Sequence, residues 1–279
     1  MSDIKTSGPW GRRDGRGPPP APAAAAPPPP SPSTGIAPPL VRGQNPVWAL
    51  VSTLLLGGFI WWVTQSWVIA VAAVFGLFVH EYGHVLAMNR FGMGPARIYI
   101  IPFLGGVARS QRPPASEWDG VKVSLAGPAF GLLAAIPFLA LYAATGQSLW
   151  LQGVAAIAFL NLVNLAPAPP LDGSKALGPV LARIHPSLEM GAMIAVGAAA
   201  IWWGFTNGAW IFAAFLALAL FAHIRRGSWR PEGRRLTWGE AGKSVALFLL
   251  TAAACVGVGA LGAGQALMGA GALPGVEVM

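Results

Sequence analysis

Charge is scarce in this chain of 279 residues: Lys, Arg, Asp and Glu together make up 10%. An ordinary soluble domain carries about 25%, so that class is excluded. Cysteine is almost absent as well. Cys255 stands alone in an apolar run, which rules out an intramolecular disulfide or a cysteine-rich metal cluster and leaves it a small packed side chain. Long polar stretches between the apolar ones are missing, so no soluble catalytic domain fits between them. What fills the chain is apolar, 54% of it hydrophobic with 36 glycines, the composition of a polytopic membrane protein.

The first 45 residues differ in kind. "GPPPAPAAAAPPPPSPSTGIAPP" has almost no large apolar side chains and cannot bury enough surface to offset chain entropy, so residues 1–45 read as a disordered tail. Prolines rather than an apolar stretch follow Arg12, Arg13 and Arg16, which argues against a cleaved signal peptide.

A helix crosses a bilayer with about 17 to 25 apolar residues. Seven segments qualify as candidates: Val47–Thr64, Trp67–Met88, Val121–Ala144, Leu149–Leu165, Leu188–Trp203, Ala209–Ile224 and Val245–Leu261. The fifth and sixth are short and joined by "GFTNG", so a count of six is the alternative. With the N-terminus in the cytoplasm, all 18 Lys and Arg residues fall on the cytoplasmic side, Arg225, Arg226, Arg230, Arg234 and Arg235 in one cluster. That is the positive-inside pattern, and it makes the formal charge of +8 a mark of topology and lipid rather than of nucleic acid. The expected location is the cell (inner) membrane, multi-pass.

Between the second and third spans, "ARIYIIPFLGGVARS" is too short for a spanning helix and too apolar for a free loop. Its β-branched and aromatic residues and the Gly105-Gly106 pair predict a short β-hairpin or re-entrant segment. Irregular backbone at membrane depth is tolerable only against protein or a water-filled cavity.

His80-Glu81-Tyr82-Gly83-His84 is an HExxH pattern near the end of the second span. On a helix the i, i+4 spacing puts both imidazoles on one face, suited to one zinc ion, and Glu81 flanks that face without ligating. A charged residue at the centre of a spanning helix costs roughly 2.5 to 3.5 kcal/mol, so ionisable side chains there default to function. A catalytic zinc usually takes three protein ligands and one water. Asp172 in "NLAPAPPLDG", after Pro167, Pro169 and Pro170 have broken the fourth span, is the best third ligand. Its alternative is an ordinary N-cap for the following helix. His185 and His223 lie at span ends, where solvated or interfacial roles are expected. Asn161 is read first as an interhelical hydrogen-bond partner.

HExxH on an apolar helix, then "FLGG", "AGPAFG" and "NLAPAPPLDG" in that order resemble the site-2 protease family of intramembrane zinc metalloproteases over roughly Val47 to Leu188. The resemblance implies an all-α polytopic membrane fold of six to seven transmembrane helices with a re-entrant β-hairpin. It implies that His80, His84 and Asp172 hold one Zn2+, that Glu81 is the catalytic acid/base, and that Asn164 positions the substrate. The hairpin, Ile98 to Ala108 with Gly105 and Gly106, would pair with an unwound substrate strand. The expected organisation is a tail over 1–45, a catalytic core over 46–187 and accessory helices with a basic cytoplasmic loop over 188–279, a minimal form without PDZ or nucleotide-sensing modules. The expected partners are the bilayer and a transmembrane protein substrate cut in regulated intramembrane proteolysis. One rival is a zincin with a downstream glutamate, Glu117 or Glu189, as third ligand. The other is a non-proteolytic metal-binding or metal-transport protein.

Overall fold

A computed structural model describes residues 43–102, 105–226 and 233–270. The expected tail therefore lies outside the described residues up to position 42, as do Arg230 and Phe103-Leu104 of the hairpin tip. The described residues fall in one compact unit within Leu40–Met279.

The elements run α1 (Pro46–Thr64), α2 (Trp67–Arg90), β1 (Arg97–Ile101), β2 (Gly105–Arg109), α3 (Glu117–Gly131), a 3-10 turn (Leu132–Ala134), α4 (Ala135–Thr145), α5 (Leu149–Asn164), α6 (Asp172–Ile184), α7 (Pro186–Thr206), α8 (Trp210–Arg226) and α9 (Trp238–Ala270). All seven apolar segments are thus helical. Five helical stretches are long and apolar enough by themselves to cross a membrane: Pro46–Thr64, Trp67–Arg90, Glu117–Thr145, Pro186–Thr206 and Trp238–Gly264. The expectation that the fifth segment is short is corrected, because α7 extends over 21 residues from Pro186 to Thr206. The fourth and sixth are the shorter ones, α5 with 16 residues and α8 with 17.

Local chemistry sets the helix starts. Asn45 caps α1 by accepting from the Val47 N–H at 2.9 Å, ahead of Pro46, which lacks a donor to leave unsatisfied. Ser116 caps α3 by accepting from the Asp119 N–H at 3.1 Å. Thr237 and Glu240 form a reciprocal capping box at α9: Thr237 Oγ1 accepts from the Glu240 N–H at 3.2 Å, and Glu240 Oε2 accepts from the Thr237 N–H at 2.8 Å.

Helix α2 sits at the centre. It presents Val68, Ala72, Gly76, His80, Gly83 and His84 inward at helical spacing, all buried. Val68 and Ala72 join Phe138, Leu151, Val154 and Ile157 in an apolar core between α2, α4 and α5. Helix α3 crosses α2 closely, and a Cβ on Gly83 would stand 2.6 Å from the Ala126 carbonyl oxygen. Small residues permit such approaches between helices that have no hydrophobic drive to associate in lipid. The outside is the reverse of a soluble protein: Leu54, Trp62, Trp202, Leu218 and Leu250 are exposed, a surface whose natural solvent is hydrocarbon.

Strands β1 and β2 form the expected hairpin, antiparallel, with Arg97 opposite Arg109, Tyr99 opposite Val107 and Ile101 opposite Gly105. The hairpin lies against α2 through β2 and against α1 through β1.

Candidate active site

Three side chains from two helices far apart in sequence converge in the interior. His80 Nε2 lies 3.0 Å from Asp172 Oδ2, His84 Nε2 lies 3.1 Å from the same oxygen, and the two Nε2 atoms are 3.1 Å apart. All three residues are buried. Among the described residues they form a group of ligand atoms able to hold one metal ion.

The hydrogen bonds on the far side of each ring decide which nitrogen is free. His84 Nδ1 faces the Val123 carbonyl oxygen at 2.8 Å, and a carbonyl only accepts, so Nδ1 carries the proton. His80 Nδ1 is 2.9 Å from Asn161 Oδ1, while the Asn161 amide nitrogen donates to the Ile157 carbonyl at 2.8 Å. Asn161 therefore presents its oxygen, and His80 donates to it. With Nδ1 as the donor, the neutral form of each imidazole aims a bare Nε2 lone pair at a carboxylate oxygen. Three acceptors within 3.1 Å of one another repel unless a cation stands among them. Outer partners of this kind fix tautomer and ring orientation at metal-binding histidines.

Gly127 on α3 leaves room for both imidazoles. A Cβ there would overlap His84 Nε2 and stand 2.8 Å from His80 Nε2. Only glycine leaves this volume beside both nitrogens open. One turn on, a Cβ on Gly131 would stand 2.8 Å from Asn161 Cγ, so the "AGPAFG" stretch lays a bare helix face on both imidazoles and on the residue that orients one of them.

Asp172 is the first residue of α6, one position past the N-cap, Leu171. Its carboxylate does not serve as the cap. Oδ2 turns to the histidines, and Oδ1 lies 3.8 Å from the exposed Lys175 ammonium. Ser124 on α3 donates to the Asp172 carbonyl oxygen at 2.6 Å and holds the start of α6 in place.

Glu81 is 5% exposed, next to the group but outside it. The hairpin covers it: a Cβ on Gly106 would stand 2.6 Å from Glu81 Cγ and 3.3 Å from Oε1. Gly105, at φ +116°, takes a conformation that L side chains rarely adopt and lies against Leu77, one turn before Glu81. Asn164 is half-buried at the end of α5 and donates to the Leu160 carbonyl at 3.0 Å.

The rival third ligands are elsewhere. Glu117 Oε2 accepts from the Leu236 N–H at 2.8 Å, tying α3 to the segment before α9. Glu189, on α7, lies against Gly178 of α6. His185 accepts from the Ser187 N–H at 3.2 Å as the N-cap of α7, and neither it nor His223 joins the group. Asn161 is the interhelical hydrogen-bond partner expected of it, joining α5 to His80 of α2, whereas the motifs alone did not reveal the Val123 carbonyl or the part played by Gly127. The Gly-xxx-Gly spacing of Gly127 and Gly131 is a signal that could have marked a close helix approach there.

If Asn161 orients His80 for a metal, Asn161→Ala lowers divalent-metal affinity about 10- to 100-fold while the helical circular dichroism is retained. Titration of the purified chain against a competing chelator measures it.

Residues 68–157 match the family model of peptidase family M50. That segment holds α2, the hairpin and α3 through most of α5, and it ends before Asn161 and Asp172. A Synechocystis sp. protein named "Putative zinc metalloprotease sll0528" is 30% identical over 141 residues, 46% of this chain and 36% of the relative. The chain thus spans little more than a third of that relative's length. These matches support the resemblance to the site-2 protease family; the family model takes in the HExxH, "FLGG" and "AGPAFG" motifs, and "NLAPAPPLDG" lies past the residues it matches.

Proposed function

We propose that the chain is an intramembrane zinc metalloendopeptidase that cuts peptide bonds within or near transmembrane helices of membrane-protein substrates, in regulated intramembrane proteolysis. The observation that carries this reading is the convergence of two Nε2 lone pairs and one carboxylate oxygen, with both Nδ1 protons engaged and a second carboxylate, Glu81, beside them. His80, His84 and Asp172 are assigned the metal, and 46–187 the catalytic core, with 188–279 accessory. A zinc ion held there supplies a Lewis acid that polarises the scissile carbonyl and acidifies a water.

Glu81 takes the proton from the attacking water and later hands it to the leaving amide nitrogen, so one carboxylate acts first as base and then as acid. Its burial under the hairpin favours that role, since a carboxylate kept from bulk water exchanges its proton with what is bound beside it. Asn164 and the Gly105-Gly106 backbone are assigned to hold the substrate. A transmembrane helix hides its peptide bonds in its own hydrogen bonds, so a substrate must unwind before it is cut. An unwound segment finds main-chain partners at a strand edge. The positive-inside distribution of Lys and Arg supports a cytoplasmic N-terminus and a site opening to that side.

The test is cleavage of a single-span protein co-reconstituted with the purified chain in liposomes, the products being located by mass spectrometry. The reading expects a cut inside or at the edge of the apolar segment, lost with chelator and restored by zinc. Cuts confined to soluble loops would overturn it.

A further inference from the structure

Gln44 fills a role that its position in the sequence does not announce. Its carboxamide makes two bonds to one residue of β1: the Gln44 amide nitrogen donates to the Ile100 carbonyl at 2.8 Å, and the Ile100 N–H donates to Gln44 Oε1 at 2.8 Å. A carboxamide is a peptide group in miniature, one N–H donor beside one C=O acceptor. Gln44 meets Ile100 as one residue of an added strand would.

The register shows which edge this is. Ile100 stands opposite Gly106, and since its own N–H and C=O go to Gln44, it faces away from β2. By the strand's two-residue period Ile98 faces the same way. Ile98 and Ile100 thus carry the outward donors and acceptors of the edge, and the Ile100 pair is taken. Beside them lies a cavity of about 240 Å³, lined by Gln44, Ile98, Ile100, Leu50 and Thr53 of α1 and Leu77 of α2. Its lining is apolar except for Gln44 and Thr53 among these, and Leu77 is one turn from Glu81.

The backbone on either side holds Gln44 at this spot. Asn45 is fixed as the cap of α1 and Pro46 as its first residue, and Gly43 packs against the Arg97 side chain at the start of β1. The carboxamide can therefore leave Ile100 by rotation about its own side-chain bonds, with α1 and β1 unmoved.

We propose that Gln44 is a built-in stand-in for a peptide group on the outer edge of β1, and that an extended substrate segment entering between α1 and α2 displaces it to pair with Ile98 and Ile100. This rests on the reading that substrate adds to the hairpin as a strand. Gln44 then acts as an intramolecular competitor, present at high effective concentration. It closes an edge that would otherwise pair with any extended chain, and it favours substrates with an unwound stretch long enough to reach both isoleucines.

The test uses the full chain in nanodiscs and a synthetic single-span peptide with a central Gly-Asn pair. Amide hydrogen exchange is read in a Glu81→Gln background, and KM in the otherwise wild-type chain. Gln44→Met removes both bonds and keeps the volume; Gln44→Glu, the second variant, keeps an acceptor and loses the donor. The proposal expects the Ile100 amide to be protected in the peptide-free parent and to exchange about tenfold faster or more in Gln44→Met. Peptide should restore its protection and newly protect Ile98. KM for the peptide should fall about threefold to tenfold in both variants, the scale of one or two exchanged neutral hydrogen bonds. If peptide protects Ile98 in parent and variant alike while KM is unchanged or rises, strand addition stands and the competitor role of Gln44 is wrong. If the peptide is cut yet neither Ile98 nor Ile100 gains protection in any version, strand addition at this edge fails, and the proposal with it.

Discussion

Glu81→Gln is expected to cut cleavage by about 10²- to 10⁴-fold, the contribution of a positioned general acid/base, while leaving metal content unchanged. The substitution keeps shape and burial. In the proposed reaction it removes the group that would accept a proton from water and return it to the leaving nitrogen. Because Glu81 lies outside the group of ligand atoms formed by His80, His84 and Asp172, its neutralisation leaves those three contacts in place. The Gly106 backbone packs against the Glu81 stem, and an isosteric amide fits under it as well as the acid does. Turnover in liposomes and metal analysis of the same sample measure both halves of this expectation. A Gln variant that cuts at the parental rate would assign the proton transfers to another group.

Gly127→Ala is the second large effect, and its sign is informative. By helix propensity alone, alanine should stabilise an exposed α-helical position by about 1 kcal/mol over glycine. At 127 the added methyl would overlap His84 Nε2 and lie 2.8 Å from His80 Nε2. The His84 ring cannot simply retreat, because its Nδ1 is anchored on the Val123 carbonyl. Displacing a catalytic group by about 1 Å costs on the order of 100-fold in rate, and here the methyl also takes the volume beside both nitrogens. Activity should fall by about 100-fold or more, with metal content falling as well and the folded helix content intact. Gly120→Ala, in a roomier place where the nearest atom is 3.8 Å away, is the control expected to change little.

These residues show what could be read from the sequence and what could not. The seven apolar segments stood out because hydrocarbon leaves a one-dimensional trace: a run of about the right length with at most one charged residue in it. The pairing of His80 with His84 was equally legible, since i, i+4 on a helix is a fixed geometry, and the rings do share a face. That Asp172 meets them could be argued from cost, because a carboxylate after a proline-broken helix needs a partner. The helix lengths were misjudged where composition blurs at the ends: Pro186, Ser187 and the "GFT" after Trp203 extend α7 although they are not uniformly apolar.

The remaining features depend on three-dimensional neighbours with no local pattern. Val123 acts through its carbonyl, which every residue has, so nothing in its side chain marks it. Gly127 acts by lacking a side chain toward atoms 43 positions earlier, the separation of His84 from Gly127. Asn161 was legible as an interhelical donor and acceptor, while its partner, His80, was not. Gln44 was invisible for the same reason, since a lone glutamine before a helix has no signature until the edge it covers is folded.

A single metal site held by His80, His84 and Asp172, with Glu81 beside it, lets loss of metal be separated from loss of catalysis. Zinc per chain, measured by elemental analysis on the purified chain and on Glu81→Gln, His80→Ala and Asp172→Ala prepared side by side, tests this. The expected result is one zinc per chain in the first two, with cleavage only in the first, and almost none in the last two. A parent that binds no zinc, or an Asp172→Ala variant that keeps a full complement, would contradict it.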